Sequence, residues 1–356
     1  MLRSVLVLSA LVLRAAAPAA AQSSDFIGPL RIRDLSPLSL FRLDMPPAHA
    51  VNSVEKGWGF EAVYSRGNLF LVSYPIEQWL ETRGSRRPLT EGDIEEILEL
   101  PGDVFYFDGE VSTLNLTAAA ALNRDWQASV TFPLHWYGGG YFDRIIESFH
   151  RAAGLGQAGR DFVPQNEVLV FAKLGDADPI IVSEDGTSGL GDAIVTLRYG
   201  HQIDPRWHLI AEAAARLPTG REHLYFSKSK PDFGAQLSLQ HLRDSTGYYA
   251  SLSWINVGDD PIFPAVSDTP TLTLAVEQKI WDDETSAIAQ ATWSRSTVAG
   301  VERSDLTKDR TQLSVGLRRP KGPITASIGL TENIVEFKNT PDISVHVGIG
   351  YIVIRH

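Results

Sequence analysis

A two-residue alternation of apolar and polar side chains runs through most of the chain beyond residue 110. Between Trp126 and Trp136 the even positions are Trp126, Ala128, Val130, Phe132, Leu134 and Trp136. The odd positions are Gln127, Ser129, Thr131, Pro133 and His135. Successive side chains of a strand point to opposite faces, so this segment has one apolar face and one mostly polar face. The pattern returns in Leu209–Leu217, Phe233–Gln240, Ala287–Ser294, Gln312–Arg318, Ile324–Thr331 and Ile343–Val353.

Soluble β-sandwiches alternate as well, and three features favour a membrane barrel instead. The polar faces carry mainly Ser, Thr, Gln and Gly with scattered charges, which suits a narrow lumen. Aromatic residues such as Trp126, Trp136, Trp207, Tyr248, Trp254, Trp293 and Tyr351 gather near strand ends, as interfacial girdles require. The strands are also long. About twelve residues, at roughly 3.3 Å each and a tilt near 40°, cover roughly 25–30 Å. No segment past the start approaches the roughly 20 apolar residues of a membrane-crossing helix.

The start reads as a secretory signal. Met1-Leu2-Arg3 is its basic end, Ser4–Leu13 its apolar stretch, and Ala19-Ala20-Ala21 a small-residue cleavage site before Gln22. Export places the expected barrel in a bacterial outer membrane. Loss of Arg3 and Arg14 takes the formal net charge from −11 to −13. No basic block stands against that charge, which argues against a nucleic-acid surface. The chain has no cysteine, so disulfides, thiolate catalysis and cysteine metal sites are excluded.

Loop length gives the strand count. Short turns fall at Asn123–Asp125, Gln202–Arg206, Asp244–Thr246, Asp282–Thr285 and Pro320–Gly322; long connections fall near 75–103, 138–188, 218–231, 258–269, 299–309 and 336–341. Outer-membrane barrels keep short turns on the periplasmic side and long loops outside. Alternation is preserved if 168–184 forms a small hairpin within the outer loop. The expectation is an all-β, antiparallel up-and-down barrel over 57–356 with about twelve strands. Fourteen is the alternative, if Gly57–Tyr74 is itself a hairpin around Arg66-Gly67-Asn68. Residues 22–56, with Pro29, Pro37, Pro46 and Pro47, read as a periplasmic arm or a plug. Short helices are expected in outer loops at Thr90–Leu100, capped by Thr90 with Asp93 at its third helical position, and at Phe142–Ala153.

Several short motifs resemble an uncharacterised family of proteobacterial barrel proteins, domain of unknown function 3187. They are Gly28-Pro29-Leu30-Arg31, Ser36-Pro37-Leu38, Asp108-Gly109-Glu110, Gly139-Gly140-Tyr141-Phe142-Asp143, Phe149-His150, Gly154-Leu155 and Gly159-Arg160-Asp161. Gly189-Leu190-Gly191-Asp192, Asp232-Phe233-Gly234 and Thr340-Pro341-Asp342 complete the set. The resemblance spans about 28–356 and implies an outer-membrane barrel; it supplies no catalytic residues. The 75–103 insert is longer than the family usually has. The end resembles the recognition signal of the barrel assembly machinery at His346, Gly348, Tyr351 and Val353, although the chain continues to Ile354-Arg355-His356.

The charges expected to line the lumen are Glu110, Arg198, Glu212, Arg216, Glu277, Lys279 and Arg318. A charge there must pair or meet water. Mutual pairing would seal the lumen, whereas opposite signs on separate walls would make a selective constriction. Gly189-Leu190-Gly191 lacks the following helix that a nucleotide loop needs. The acidic pairs Asp259-Asp260 and Asp282-Asp283-Glu284 read as turns rather than calcium loops. His135, His150 and His346 offer no serine–acid spacing for a hydrolase.

The leading functional expectation is therefore passive passage of a small or amphipathic solute, with no cofactor and no enzymatic activity. A plugged structural barrel acting through its outer loops and a membrane-embedded hydrolase are the alternatives. Expected partners are outer-membrane lipid, the barrel assembly machinery and periplasmic chaperones. The cheapest check is heat-modifiable gel migration with β-rich circular dichroism in detergent. A protein that stays monodisperse without detergent would exclude the barrel.

Overall fold

The computed structural model describes residues 26–36, 39–40, 42–48, 57–175, 179–182, 187–220, 227, 230–258, 265–281, 284–299, 305–335 and 339–354. The expected signal segment 1–21, Asp259-Asp260 and Asp282-Asp283 lie outside these residues. In chain order the strands are β1 (Gly57–Val72), β2 (Val104–Ala121), β3 (Trp126–Gly138), β4 (Leu169–Lys173), β5 (Ile180–Val182) and β6 (Ser188–Leu190). There follow β7 (Ala193–Gln202), β8 (Trp207–Leu217), β9 (Asp232–Arg243), β10 (Thr246–Asn256), β11 (Ala265–Val266) and β12 (Thr269–Ile280). The last are β13 (Thr285–Ser294), β14 (Val298–Ala299), β15 (Arg310–Lys321), β16 (Ile324–Asn333) and β17 (Ile343–Ile354).

Twelve of these strands close into a ring, β1-β2-β3-β7-β8-β9-β10-β12-β13-β15-β16-β17, with every neighbouring pair antiparallel. Closure is the pairing of β1 with β17, from Gly57 opposite Ile354 to Gly67 opposite Ser344. The first crossing is a single 16-residue strand, so the count is twelve rather than fourteen. Gly67 does not turn the chain. It stays in register between Val111 and Ser344, and a Cβ there would lie 2.6 Å from Ser344 Oγ and 3.2 Å from Leu35. Its glycine allows a close approach from inside.

Burial inverts the rule for soluble sheets. Along β9, Phe233, Leu237 and Leu239 are exposed, while Gln236, Ser238 and Gln240 are buried. An apolar exterior around a polar interior is the arrangement of barrels that stand in hydrocarbon. Aromatic contacts mark the two rims. Trp126 meets Tyr199, and Trp207 meets His241, at the short-turn end; Tyr64 stacks on Trp136 at 5.7 Å toward the long-loop end.

Above the wall, β1 and β2 continue as an extended hairpin. β3 leaves β2 at Glu110–Gly138, and β4 takes its place from Asp108–Leu169 onward, with β5 added beyond. The expected 168–184 hairpin thus sits in the long-loop end. Three helices cover this region: α1 (Tyr74–Glu81), α2 (Glu91–Leu98) and α3 (Asp143–Ala153). Thr90 caps α2 in a full capping box with Asp93. Helix α1 was not expected from the sequence; Pro75 in its first turn and Ile76 and Leu80 on one face were the available signals. Ile76, Leu80 and Ile97 pack with Phe70, Val72, Tyr106 and Phe171 outside the hairpin. Leu69, Leu71, Phe105 and Phe107 form a second cluster on its inner face.

The Gly139-Gly140 pair seats the loop that follows β3. A Cβ on Gly139 would stand 1.8 Å from the Asn166 carbonyl oxygen, so the backbone itself would have to move. Gly139→Ala is therefore expected to cost about 1–3 kcal/mol. It should lower the temperature at which the folded gel band is lost by more than Gly156→Ala, whose Cβ meets open space.

Candidate functional site: the occupied lumen

The proline-rich arm lies inside the barrel. Four prolines within residues 29–47 deny it the amide donors of a ladder strand, and its polar contacts go instead to side chains of the wall. It enters at the short-turn mouth, where Lys279 Nζ lies 5.5 Å from the Phe26 ring. The Gly28 amide donates to Glu277 Oε2 at 2.7 Å, and Arg318 donates to the carbonyls of Gly28 and Pro29. Tyr249 Oη completes the Glu277 site at 2.9 Å. The chain then runs to the long-loop end, where Leu35 and Leu40 join the inner hydrophobic cluster.

The turn at that tip is held by charge. Arg33 Nη2 donates to the carbonyls of Ser39, Leu40 and Arg42 at 2.9, 2.7 and 3.0 Å. Asp34 accepts from Arg42 Nη2 at 2.9 Å and from Arg310 Nη1, on the wall, at 2.8 Å. Burial pushes the Asp34 carboxyl up, but Arg310, Arg42 and the Ser36 hydrogen bonds outweigh it and hold it at about 2. Burial also brings Arg33 down to about 10, against the pull of Asp44. The chain returns through Leu43, whose amide donates to Asp232 Oδ2 at 2.7 Å, and Ala48, whose amide donates to Gln236 Oε1 at 2.9 Å.

Six of the seven expected lumen charges lie on inward positions of the wall and are buried: Arg198, Glu212, Arg216, Glu277, Lys279 and Arg318. Arg198 and Glu212 are direct cross-strand partners, 2.7 Å apart. Arg216 reaches Asp232 Oδ2 at 2.8 Å and also bonds Asp192. Asp192 in turn accepts from Thr219 N, Gly220 N and Ser227 Oγ. Paired in this way, these charges line no separate walls of opposite sign.

Glu110 is a correction. Its register places it on the same face as Leu114 and Leu116, outside the wall. There it accepts from Arg66 and from the amides of Tyr141 and Phe142. The Asp108-Gly109-Glu110 segment leaves regular strand geometry at Gly109, whose φ is +147°. The alternation nevertheless runs unbroken through Gly109, with Val104 and Tyr106 on the outer side and Phe105, Phe107 and Val111 on the inner; Glu110 is a charge on the apolar face, held there by Arg66 and two amides.

The motifs carrying the family resemblance converge in space. Arg160 Nη1 donates to Asp143 Oδ1 at 2.8 Å, Arg160 Nη2 donates to Asn68 Oδ1 at 2.9 Å, and Arg160 also pairs with Asp342. Asp192 and Asp232 meet on Arg216. Sequence reasoning quoted these aspartates without a role and missed Arg33, Asp34, Arg42 and Asp44 altogether. A proline-rich stretch that alternates arginine with aspartate was the signal for the last four.

The three histidines weighed as hydrolase candidates are each tied to a hydroxyl or a carbonyl. His346 shares hydrogen bonds with Ser65 through Nδ1 and Thr331 through Nε2, both at 2.8 Å. His135 Nδ1 lies 2.6 Å from Thr113 Oγ1, and His150 Nδ1 lies 3.1 Å from the Gly156 carbonyl. Of the expected assembly-signal positions, His346 faces the lumen and Tyr351 faces outward beside Trp58. Gly348 leaves room for Ser327, whose Oγ would lie 2.5 Å from a Cβ; the Val353 side chain lies outside the described residues.

Space beside the arm is uneven. A chamber of about 490 Å³ lies toward the short-turn mouth, among Leu30, Arg31, Glu61, Gln127, Arg198 and Arg318. Further in, two gaps flanking Arg33 and Asp44 hold only about 50 Å³ each.

A closed twelve-stranded wall with an apolar exterior and a polar, charge-paired lumen defines an outer-membrane-type β-barrel. The sequence matches the family described as protein of unknown function (DUF3187) over residues 101–352, and the chain belongs to that family. No curated protein matches it. Among solved structures it is similar to the COG4313 outer membrane channel from Pseudomonas putida F1, with a TM-score of 0.51 and 14% identity, covering 85% of this chain and 97% of that one. The NanC porin (TM-score 0.42, 11% identity, 68% and 94% covered) and the KdgM porin (0.38, 8%, 71% and 97%) also align. These likenesses concern the fold.

Glu277 tests how the arm is seated. Glu277→Ala strips the acceptor from the Gly28 amide and Tyr249, and leaves Arg318 buried beside no carboxylate. A loss of about 3 kcal/mol in arm docking is expected from breaking such a buried charged site. Limited trypsin digestion should then cut faster at Arg31, Arg33 and Arg42 while the barrel keeps its folded gel band.

Proposed function

We propose that this protein is an outer-membrane channel for small or amphipathic solutes, without enzymatic activity, whose resting lumen is closed by its own N-terminal arm. The observation that carries this reading is the arm itself. It fills a twelve-stranded lumen by non-covalent contacts alone and leaves a chamber open toward one mouth. Barrels of eight strands are filled by their own side chains and those of sixteen hold water channels; twelve strands leave room for an inserted segment that can exchange with solute. The structural neighbours, mainly channels and porins, support the same class. Outer-membrane lipid, the assembly machinery and periplasmic chaperones are the partners this reading requires.

A second reading is a permanently plugged barrel that acts through its outer loops. It is favoured by the number of buried charged bonds that hold the tip of the arm. Conductance in planar bilayers separates the two. The intact protein should show rare openings or none, and deletion of 26–48 should give steady, larger conductance. If neither the intact chain nor the deletion variant conducts while both migrate as folded barrels, the channel reading fails.

A further inference from the structure

Helix α3 sits the wrong way round for a helix covering a water-soluble surface. Projected at 100° per residue, Ile145, Ile146, Phe149, Ala152 and Ala153 share one side, and Asp143, Arg144, Glu147 and Arg151 share the other. The protein grips the helix by an edge of the polar side. Asp143 takes Arg160 at 2.8 Å, Asn68 Nδ2 at 2.9 Å and the Asn166 amide at 2.8 Å. Glu147 takes Arg86 at 2.9 Å. Of the larger apolar residues only Ile146 is buried. Ile145 is 62% exposed and Phe149 57%, and Tyr141, four residues before Ile145, is 77% exposed. Helices α1 and α2 do the reverse and turn Ile76, Leu80 and Ile97 onto the core.

The exposed stripe is continuous with the bilayer-facing wall. Tyr141 lies over Arg66, whose guanidinium carbon is 5.2 Å from the ring. Two residues along β1 on that same outer face is Tyr64, stacked on Trp136, and beyond it lie the exposed Leu116, Phe60 and Phe132. Arg144 and Arg151 lie on the opposite, polar side, both largely exposed, and Arg151 pairs there with Glu147 at 3.3 Å and Asp161 at 3.7 Å. An apolar stripe opposite a charged side, at the level of an aromatic girdle, matches an interfacial helix.

We infer that α3 is an interfacial anchor: Tyr141, Ile145 and Phe149 rest in the outer leaflet, with the charged side of the helix turned to water. This rests on the barrel spanning a bilayer, and the test separates the two claims. The chain has no cysteine, so single labels are clean. Spin labels on Ile145→Cys, Phe149→Cys, Arg151→Cys and Leu237→Cys of the full-length protein would be compared. The protein would be reconstituted in phosphatidylethanolamine–phosphatidylglycerol vesicles, each variant first checked for its folded gel band. Labels at 145 and 149 should match the lipid-facing label at 237, collisions with a water-soluble nickel complex being several-fold rarer than at 151. If 237 is shielded while 145 and 149 are as open as 151, the anchor is overturned and the barrel stands. If 237 is also open, the membrane reading falls. Shielding of 145 and 149 that appears only in native membranes, and not in pure lipid, would assign the stripe to a protein partner and overturn the lipid assignment.

Discussion

Inside a hydrocarbon layer no water is available for a backbone amide or carbonyl, so every strand needs a partner on both sides. The pairing of β1 with β17 meets that demand and turns a sheet with two edges into a wall with none. A closed wall has an interior whose residues are fixed by strand parity. That interior inherits the polar half of every strand, including Arg198, Glu212, Arg216, Glu277, Lys279 and Arg318. Charges placed there must find partners. The wall satisfies some itself, as in Arg198–Glu212, and the arm satisfies others, as in Gly28 on Glu277 and Asp34 on Arg310. The plug is thus as much a counter-charge for the lumen as an obstruction in it.

How much of this was legible in the sequence follows from which signals are local. Alternation is a local signal, and it gave the wall, its facing and, with loop lengths, the twelve crossings and the outer hairpin. Capping is local too, and Thr90 with Asp93 placed α2 within two residues. What failed was long-range or broke periodicity. Gly67 resembled a turn because its reason for being glycine, the approach of Leu35 and Ser344, comes from residues distant in sequence. Glu110 keeps the parity of Leu114 and Leu116, and the partners that let a carboxylate sit on the outer face, Arg66 and the amides of Tyr141 and Phe142, are distant in sequence. The arm had no periodicity at all, and its position is set by side chains some two to three hundred residues away, so the choice between arm and plug could not be made without coordinates.

The clusters at the long-loop end explain why the family motifs are so short. Each contributes one charged group or one close approach to a shared centre: Asp143, Arg160 and Asp342 in one, Asp192 and Asp232 around Arg216 in another. A buried ion with several hydrogen-bonding partners tolerates little substitution, because removing one member strands the rest. The residues between these points only need to span the distance.

The path of the arm has a topological consequence. It rises from Phe26 at the short-turn mouth, turns near Ser39 and Leu40 at the far end, and comes back past Leu43 and Ala48. Among the described residues neither limb is a strand of the wall. Moving either limb therefore breaks the bonds along the arm and none of the ladder of the wall.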